Sequence, residues 1–219
     1  MEALSINLQW ASFMRHCAQY AKQGIIAELG CDVAVYWTQC TLTFMNGIFL
    51  STDVVDELDL HERLEKIQAH VREVQPTFPW ALYIEPERLP SGMRQRLQEL
   101  CLAAEFTHVF NVKCMQTTSL LPPVRPLPTV EIKFTTSQQD TYDAALLNVE
   151  AHNLNASVAE SMIEQRVLVA DFDKQLCCTV LVNGKPVATA TTLLLDECLY
   201  VAFVATSAPH RKVCVILSL

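Results

Sequence analysis

Glycine is scarce in this chain, with 5 in 219 residues, and positive charge is outweighed, 16 Lys and Arg standing against 24 Asp and Glu for a formal net charge of -8. Few glycines together with only 10 prolines exclude collagen-like and linker-dominated chains. The acidic balance leaves no overall positive field to draw in a phosphate backbone, so nucleic acid is not expected as a partner. Long apolar runs are missing as well. The most apolar stretch, 187–204, carries Asp196 and Glu197 in its middle and several threonines, which suits strands and not a bilayer span, so no membrane partner is expected. The opening MEALSINLQWASFMRHC has no basic segment followed by an unbroken apolar one, because Arg15 and His16 interrupt it; no secretion signal is read and a cytoplasmic location is expected. None of the 9 cysteines forms a CxxC pair, which argues against a disulfide framework or a zinc ribbon. His210 and Cys214, four apart, supply two ligands where a structural zinc site takes four, so no metal is expected. P-loop, dinucleotide-binding and hydrolase nucleophile motifs are also missing.

What remains is the material of a globular core: 51% of the residues are hydrophobic and 18% charged. A chain of this length folds as one domain or two small ones. In the first part, Trp10, Phe13, Met14, Cys17 and Ala21 fall on one stripe of a helix over 7–22, which Gly24 ends. Segments 33–37 and 40–50 are rich in Val, Tyr, Trp, Thr and Phe and read as strands, with Asn46-Gly47 interrupting the second as a type I′ hairpin signal. Over 59–74, Leu60, Leu64, Ile67, Val71 and Val74 recur at helical spacing against a charged opposite side, and Pro76 stops the helix. A short strand at 80–84, a helix from the turn at 90–92 through 104 and an extended segment at 107–115 complete the series.

Four prolines in the nine residues 120–128 exclude helix and central strand there and mark a stiff connector. The chain therefore divides into an N-terminal α/β half at 1–119, the connector at 120–128 and a second α/β half at 129–219. Beyond the connector come a strand at 130–134, helices at 140–153 and 157–167, the latter with Ser157 and Glu160 as a capping box, and three strands at 176–182, 186–195 and 198–206. Asn183-Gly184-Lys185 joins the first two of these as a tight hairpin. The fold class expected is α/β with a mixed sheet.

The text of the last strands, VNGKPVATATT at 182–192 and LYVAFVATSAPHR at 199–211, together with the order strand, helix, helix, meander, resembles the opening half of the GNAT superfamily of acyl-CoA N-acyltransferases over about 126–212. The resemblance implies transfer of an acyl group from acyl-CoA, acetyl-CoA by default, to an amine. It implies that Val204, Ala205 and Thr206 present main-chain groups to the pantetheine arm, and that Arg211 and Lys212 open the turn that receives the pyrophosphate. Backbone N–H groups at a glycine-rich helix start suit that anion. Here Cys214 and Ile216 stand where the family has glycine, and no glycine follows Gly184, so a truncated or alternatively terminated member of the family is the expectation. The first half resembles the family's later elements by element order, as a degenerate copy of the same fold.

No catalytic residue is singled out. Glu160, Asp171, Asp196 and Glu197 are carboxylates near the expected sheet that suit a general base, none of them marked by spacing. Tyr200 reads as core packing or as a proton donor to the thiolate, and of the adjacent Cys177 and Cys178 at most one faces a pocket. The alternative function is a non-catalytic interaction or structural module derived from the same plan. The strand at 198–206 has no charge and no proline, which expects it to be covered on both faces or else to self-associate through its open edge.

Overall fold

A computed structural model of the chain describes residues 6–112, 115, 117–119, 130–167, 175–195 and 198–211. The connector at 120–128 is outside the described residues, as are Asp171, Asp196, Glu197, Lys212, Cys214 and Ile216.

The first half opens with α1 (Ile6–Tyr20), an amphipathic helix whose Phe13, Met14, Cys17 and Ala18 are buried. Gly24 follows where a Cβ would lie 1.8 Å from the Ala18 carbonyl oxygen, so the close return of the chain to the helix needs glycine. Strands β1 (Ile25–Glu28), β2 (Val33–Trp37) and β3 (Asn46–Leu50) form an antiparallel meander, and β4 (Ala81–Tyr83) joins β3 in parallel after the helix α2 (Glu57–Val74). Two short helices, α3 (Ser91–Arg94) and α4 (Leu97–Ala103), close the half. All five residues of β2 are buried because helices cover both faces of the sheet. Val33, Val35 and Trp37 pack against Leu60, Leu64 and Ile67 of α2, while Ala34 and Tyr36 belong to the cluster that holds Phe13, Met14 and Cys17 of α1.

In this half the structure adds one strand to those expected and corrects one expected turn. The strand β1 is present although four residues are too few to show an alternation. Asn46-Gly47 is not a turn but the start of β3. The fully buried Asn46 donates from Nδ2 to the carbonyls of Cys40 (2.8 Å), Leu42 (3.3 Å) and Pro79 (2.9 Å) and accepts from the Gln39 N–H (2.9 Å). Its amide thus serves loop backbone groups that the sheet leaves without partners. Residues 107–112, expected to be extended, belong to neither a helix nor a strand.

The second half is a separate four-stranded sheet, entirely antiparallel, in the order β5 (Glu131–Phe134), β6 (Gln175–Val182), β7 (Lys185–Leu195), β8 (Cys198–Thr206). Asn183 and Gly184, at φ of 53° and 74°, make the two-residue β6–β7 turn that the sequence expects. Helices α5 (Gln138–Ala151) and α6 (Ala156–Glu164) lie between β5 and β6 in the chain. Ser137 caps α5 by accepting from the Asp140 N–H, and Asn155 caps α6 by accepting from the Ser157 N–H, so the cap is Asn155, two residues before the Ser157 expected in that role. The expectation that β8 is covered on both faces also fails: Leu199 is 71% and Val201 58% exposed.

One core spans both halves. Phe13 stacks on Tyr200 with ring centroids 4.9 Å apart, and Phe13, Met14 and Phe49 share a cluster with Ala145, Val149, Met162, Leu193 and Leu195. Three hydrogen bonds across the chain reinforce it, from the Thr41 N–H to Ser161 Oγ and from the Lys22 N–H to the Gln165 carbonyl, each 3.0 Å, and from Cys198 Sγ to Gln9 Oε1 at 2.7 Å.

Candidate functional site

Strand β8 departs from regular geometry at one place. Thr189 pairs with Ala205 and Thr191 with Ala202, so two residues of β8, Phe203 and Val204, stand opposite Ala190 alone. This is a β-bulge, and Phe203 takes φ of 50° in it. A bulky residue in the left-handed region costs on the order of 1–3 kcal/mol and persists only where its surroundings hold it. Here Phe13 lies 5.7 Å from the Phe203 ring. Bulges re-aim side chains and unpair backbone groups, and they gather next to active sites.

The sequence-derived cofactor contacts lie just past this point. Val204 is 38% exposed, Ala205 is buried and Thr206 is half-buried. The chain then turns through Ala208–His210, with the Ser207 N–H donating to the Val187 carbonyl (2.8 Å) and Ser207 Oγ 2.9 Å from His210 Nδ1. Arg211 donates from Nε to the Thr206 carbonyl (3.2 Å) and from Nη2 to the Ala151 carbonyl at the end of α5 (2.8 Å), which pins the end of β8 to that helix. The structure thus gathers Val204, Ala205, Thr206 and Arg211 at one end of the second sheet; Lys212 lies outside the described residues.

Of the carboxylates considered as bases, Glu160 is exposed on α6, on the helix that packs through Ala159 and Met162. Tyr200 packs in the aromatic group of Trp10 and Phe13. Cys177 and Cys178 are both buried, with Cys178 Sγ 3.6 Å from the Ala190 carbonyl. Burial pushes the thiols of Cys17, Cys40, Cys101 and Cys178 up, which keeps them protonated and poorly nucleophilic at neutral pH. Among the described residues no three His, Cys, Asp or Glu side chains come together as a metal would require, and no helix is long and apolar enough to cross a membrane.

In the first half the helix start that follows β3 carries carboxylates of its own. After β3 the chain enters α2, whose first turn carries Glu57 and Asp59 behind the cap Asp56. The Val55 N–H donates to Asp59 Oδ2 (2.8 Å) and the Asp59 N–H to Asp56 Oδ1 (2.9 Å). Arg63, buried, donates to both Asp59 oxygens and to the carbonyls of Thr52 (2.8 Å) and Asp53 (2.9 Å). Hydrogen bonds from Arg63 hold the Asp59 carboxyl below its usual range. A helix N-terminus attracts anions through its open N–H groups and positive dipole end, but here the chain's own carboxylates occupy it.

A GCN5-related N-acetyltransferase from Kribbella flavida superposes on this chain with a TM-score of 0.59 at 16% sequence identity, over 97% of this chain and 76% of that one. A conserved protein of unknown function from Staphylococcus epidermidis ATCC 12228 gives a TM-score of 0.48 at 13% identity, over 86% of this chain and 73% of that one. No family model and no curated protein matches the sequence. The first likeness shows that the mixed α/β fold is of the N-acetyltransferase kind.

Proposed function

We propose that the chain is built for transfer of an acyl group from acyl-CoA, acetyl-CoA by default, to an amine, with the cofactor lying along the C-terminal end of β8. The observation that carries this reading is the bulge at Phe203 and Val204, a strained irregularity held in the middle of the sheet's last strand. A thioester placed there meets Val204, Ala205 and Thr206, and Arg211 and Lys212 follow on the phosphate side. Catalysis in such a site rests on holding thioester and amine in line and on a base that takes the amine proton. The likeness of fold to a GCN5-related N-acetyltransferase supports the assignment. The first half serves as a degenerate partner of the same plan: it has a helix, meander, helix and parallel strand in that order, and a helix start filled by Asp56 and Asp59 that turns phosphate away.

A non-catalytic module is the second reading, favoured by Cys214 and Ile216, whose side chains restrict φ and obstruct close approach of phosphate to the backbone. Calorimetric titration with acetyl-CoA separates the two. Loss of several charge-assisted hydrogen bonds, each about 1.5–3 kcal/mol, predicts a dissociation constant no tighter than hundreds of micromolar. Weak binding with slow acetylation of a primary amine supports the transferase. An absence of heat at millimolar cofactor supports the module, and micromolar affinity shows that the residues after Lys212 make a phosphate site without glycine.

A further inference from the structure

Asparagine stands before glycine twice in this chain, at Asn46-Gly47 and Asn183-Gly184, and the fold treats the two pairs differently. The dipeptide is chemically labile, because a following residue without Cβ leaves its backbone nitrogen free to approach the asparagine side chain. At the second pair the Gly184 nitrogen would attack Asn183 Cγ. The Cγ–Nδ2 bond breaks and ammonia leaves with the amide proton, closing a five-membered succinimide, which water then opens at either carbonyl. Opening at Cγ leaves aspartate in an ordinary chain, and opening at the main-chain carbonyl leaves isoaspartate, with the chain running through Cγ. No electrons change hands, and water is the only other reactant.

Asn183 and Gly184 are both exposed at the tip of the β6–β7 hairpin, beyond its last pair, Val182 with Lys185. A Cβ built on Gly184 would meet nothing within 4 Å, so the nitrogen is uncrowded. Ring closure needs the Asn183 backbone to leave its left-handed conformation, φ of 53°, and at a hairpin tip that opens one turn and not the sheet.

Asn46 is the opposite case. It is wholly buried, its Nδ2 donates to three carbonyls and its Oδ1 accepts from the Gln39 N–H, while Gly47 is paired on both sides, with Tyr36 of β2 and Ala81 of β4. Attack there requires the first sheet to come apart. Asn153 isolates the part played by glycine. It is exposed and takes φ of 54°, as Asn183 does, but Leu154 follows it, and the Leu154 N–H donates to the Val149 carbonyl (2.9 Å).

We propose that Asn183-Gly184 is a site of spontaneous modification, at which the folded chain converts its own asparagine to aspartate and isoaspartate while Asn46-Gly47 is kept intact. Either product adds a negative charge to the hairpin tip. Isoaspartate also lengthens the main chain of a two-residue turn, so it loosens the Val182–Lys185 end of the β6–β7 ladder.

Peptide mapping by mass spectrometry tests this on the whole folded chain, held at mildly alkaline pH and physiological temperature, with the same chain in urea as reference. In urea the two Asn-Gly pairs should convert at one rate. In the folded chain Asn183 should convert at least about a hundredfold faster than Asn46, because opening an exposed turn is far less costly than opening a core strand. Asn153 should keep its amide over the same period. An Asn183 that stays intact in the folded chain while urea converts it would overturn the proposal. Equal rates at Asn183 and Asn46 in the folded chain, or at Asn183 and Asn153, would overturn it as well.

Discussion

Two meanders of three strands, each preceded by a helix, occupy the two halves of this chain, and they have been used differently. Strands β1 to β3 have 4, 5 and 5 residues, with β2 and β3 wholly buried between α2 on one side and the shared core on the other. Strands β6 to β8 have 8, 11 and 9 residues, the last of them bulged and largely uncovered on one face. The third strand shows the contrast best. In the first half β3 is followed, after residues 51–56, by a helix start neutralised by Asp56, Asp59 and Arg63, so the position is sealed and structural. In the second half β8 holds a phenylalanine at positive φ and is followed by the turn Ala208–His210 and by Arg211, so its irregularity is strained and close to the strand's end.

The sealed half should be the more sensitive to small changes. Asn46→Ala removes the hydrogen bonds of one buried amide to three carbonyls and an N–H, and should cost about 3 kcal/mol or more, read from the midpoint of urea unfolding. A loss below 1 kcal/mol would mean that water replaces the amide. Gly47→Ala should cost about 1–3 kcal/mol, because its Cβ would meet the Phe49 ring at 2.5 Å and Phe49 is held by stacking on Tyr83. An unchanged midpoint would show that the stack yields freely.

In the open half the expected effects on stability are smaller. Asp140 pairs with Lys133, and the Lys133 ammonium together with the Thr136 N–H holds its carboxyl down to about 2. With the folded value below the unfolded one near 4, this contribution is complete above about pH 5 and disappears as pH falls toward 2. Asp140→Asn should therefore lose about 1–2 kcal/mol at neutral pH, a figure lowered because Lys133 is half exposed, and should flatten the acid limb of the stability curve. An acid limb unchanged in the variant would place the titration elsewhere.

Much of the second half is legible in the sequence. Asn183-Gly184 announces its hairpin because strand-forming residues flank it for several positions on both sides. The same dipeptide misleads at Asn46-Gly47, where only three strand residues follow and the decisive fact, carbonyls of Cys40, Leu42 and Pro79 waiting for the amide, exists only after folding. The bulge is also hidden in the sequence. In LYVAFVAT every residue but Thr206 is apolar or aromatic, so the change of face that one extra residue imposes leaves no polar marker. The exposure of Leu199 and Val201 escapes for the same reason, since an unbroken apolar strand reads as covered on both sides. The residues proposed to meet the cofactor, Val204, Ala205, Thr206 and Arg211, come from the family resemblance of 199–211 and not from spacing.

The most direct test of the contrast is a backbone amide chemical-shift titration with acetyl-CoA, which detects binding even at millimolar dissociation constants. If the acyl-CoA site belongs to the bulged strand, shifts should appear at 203–206 and at Arg211 and be absent from 51–60, where Asp56 and Asp59 fill the helix start. Shifts at 51–60, or none at 203–211 with saturating cofactor, would contradict the assignment of the site to β8.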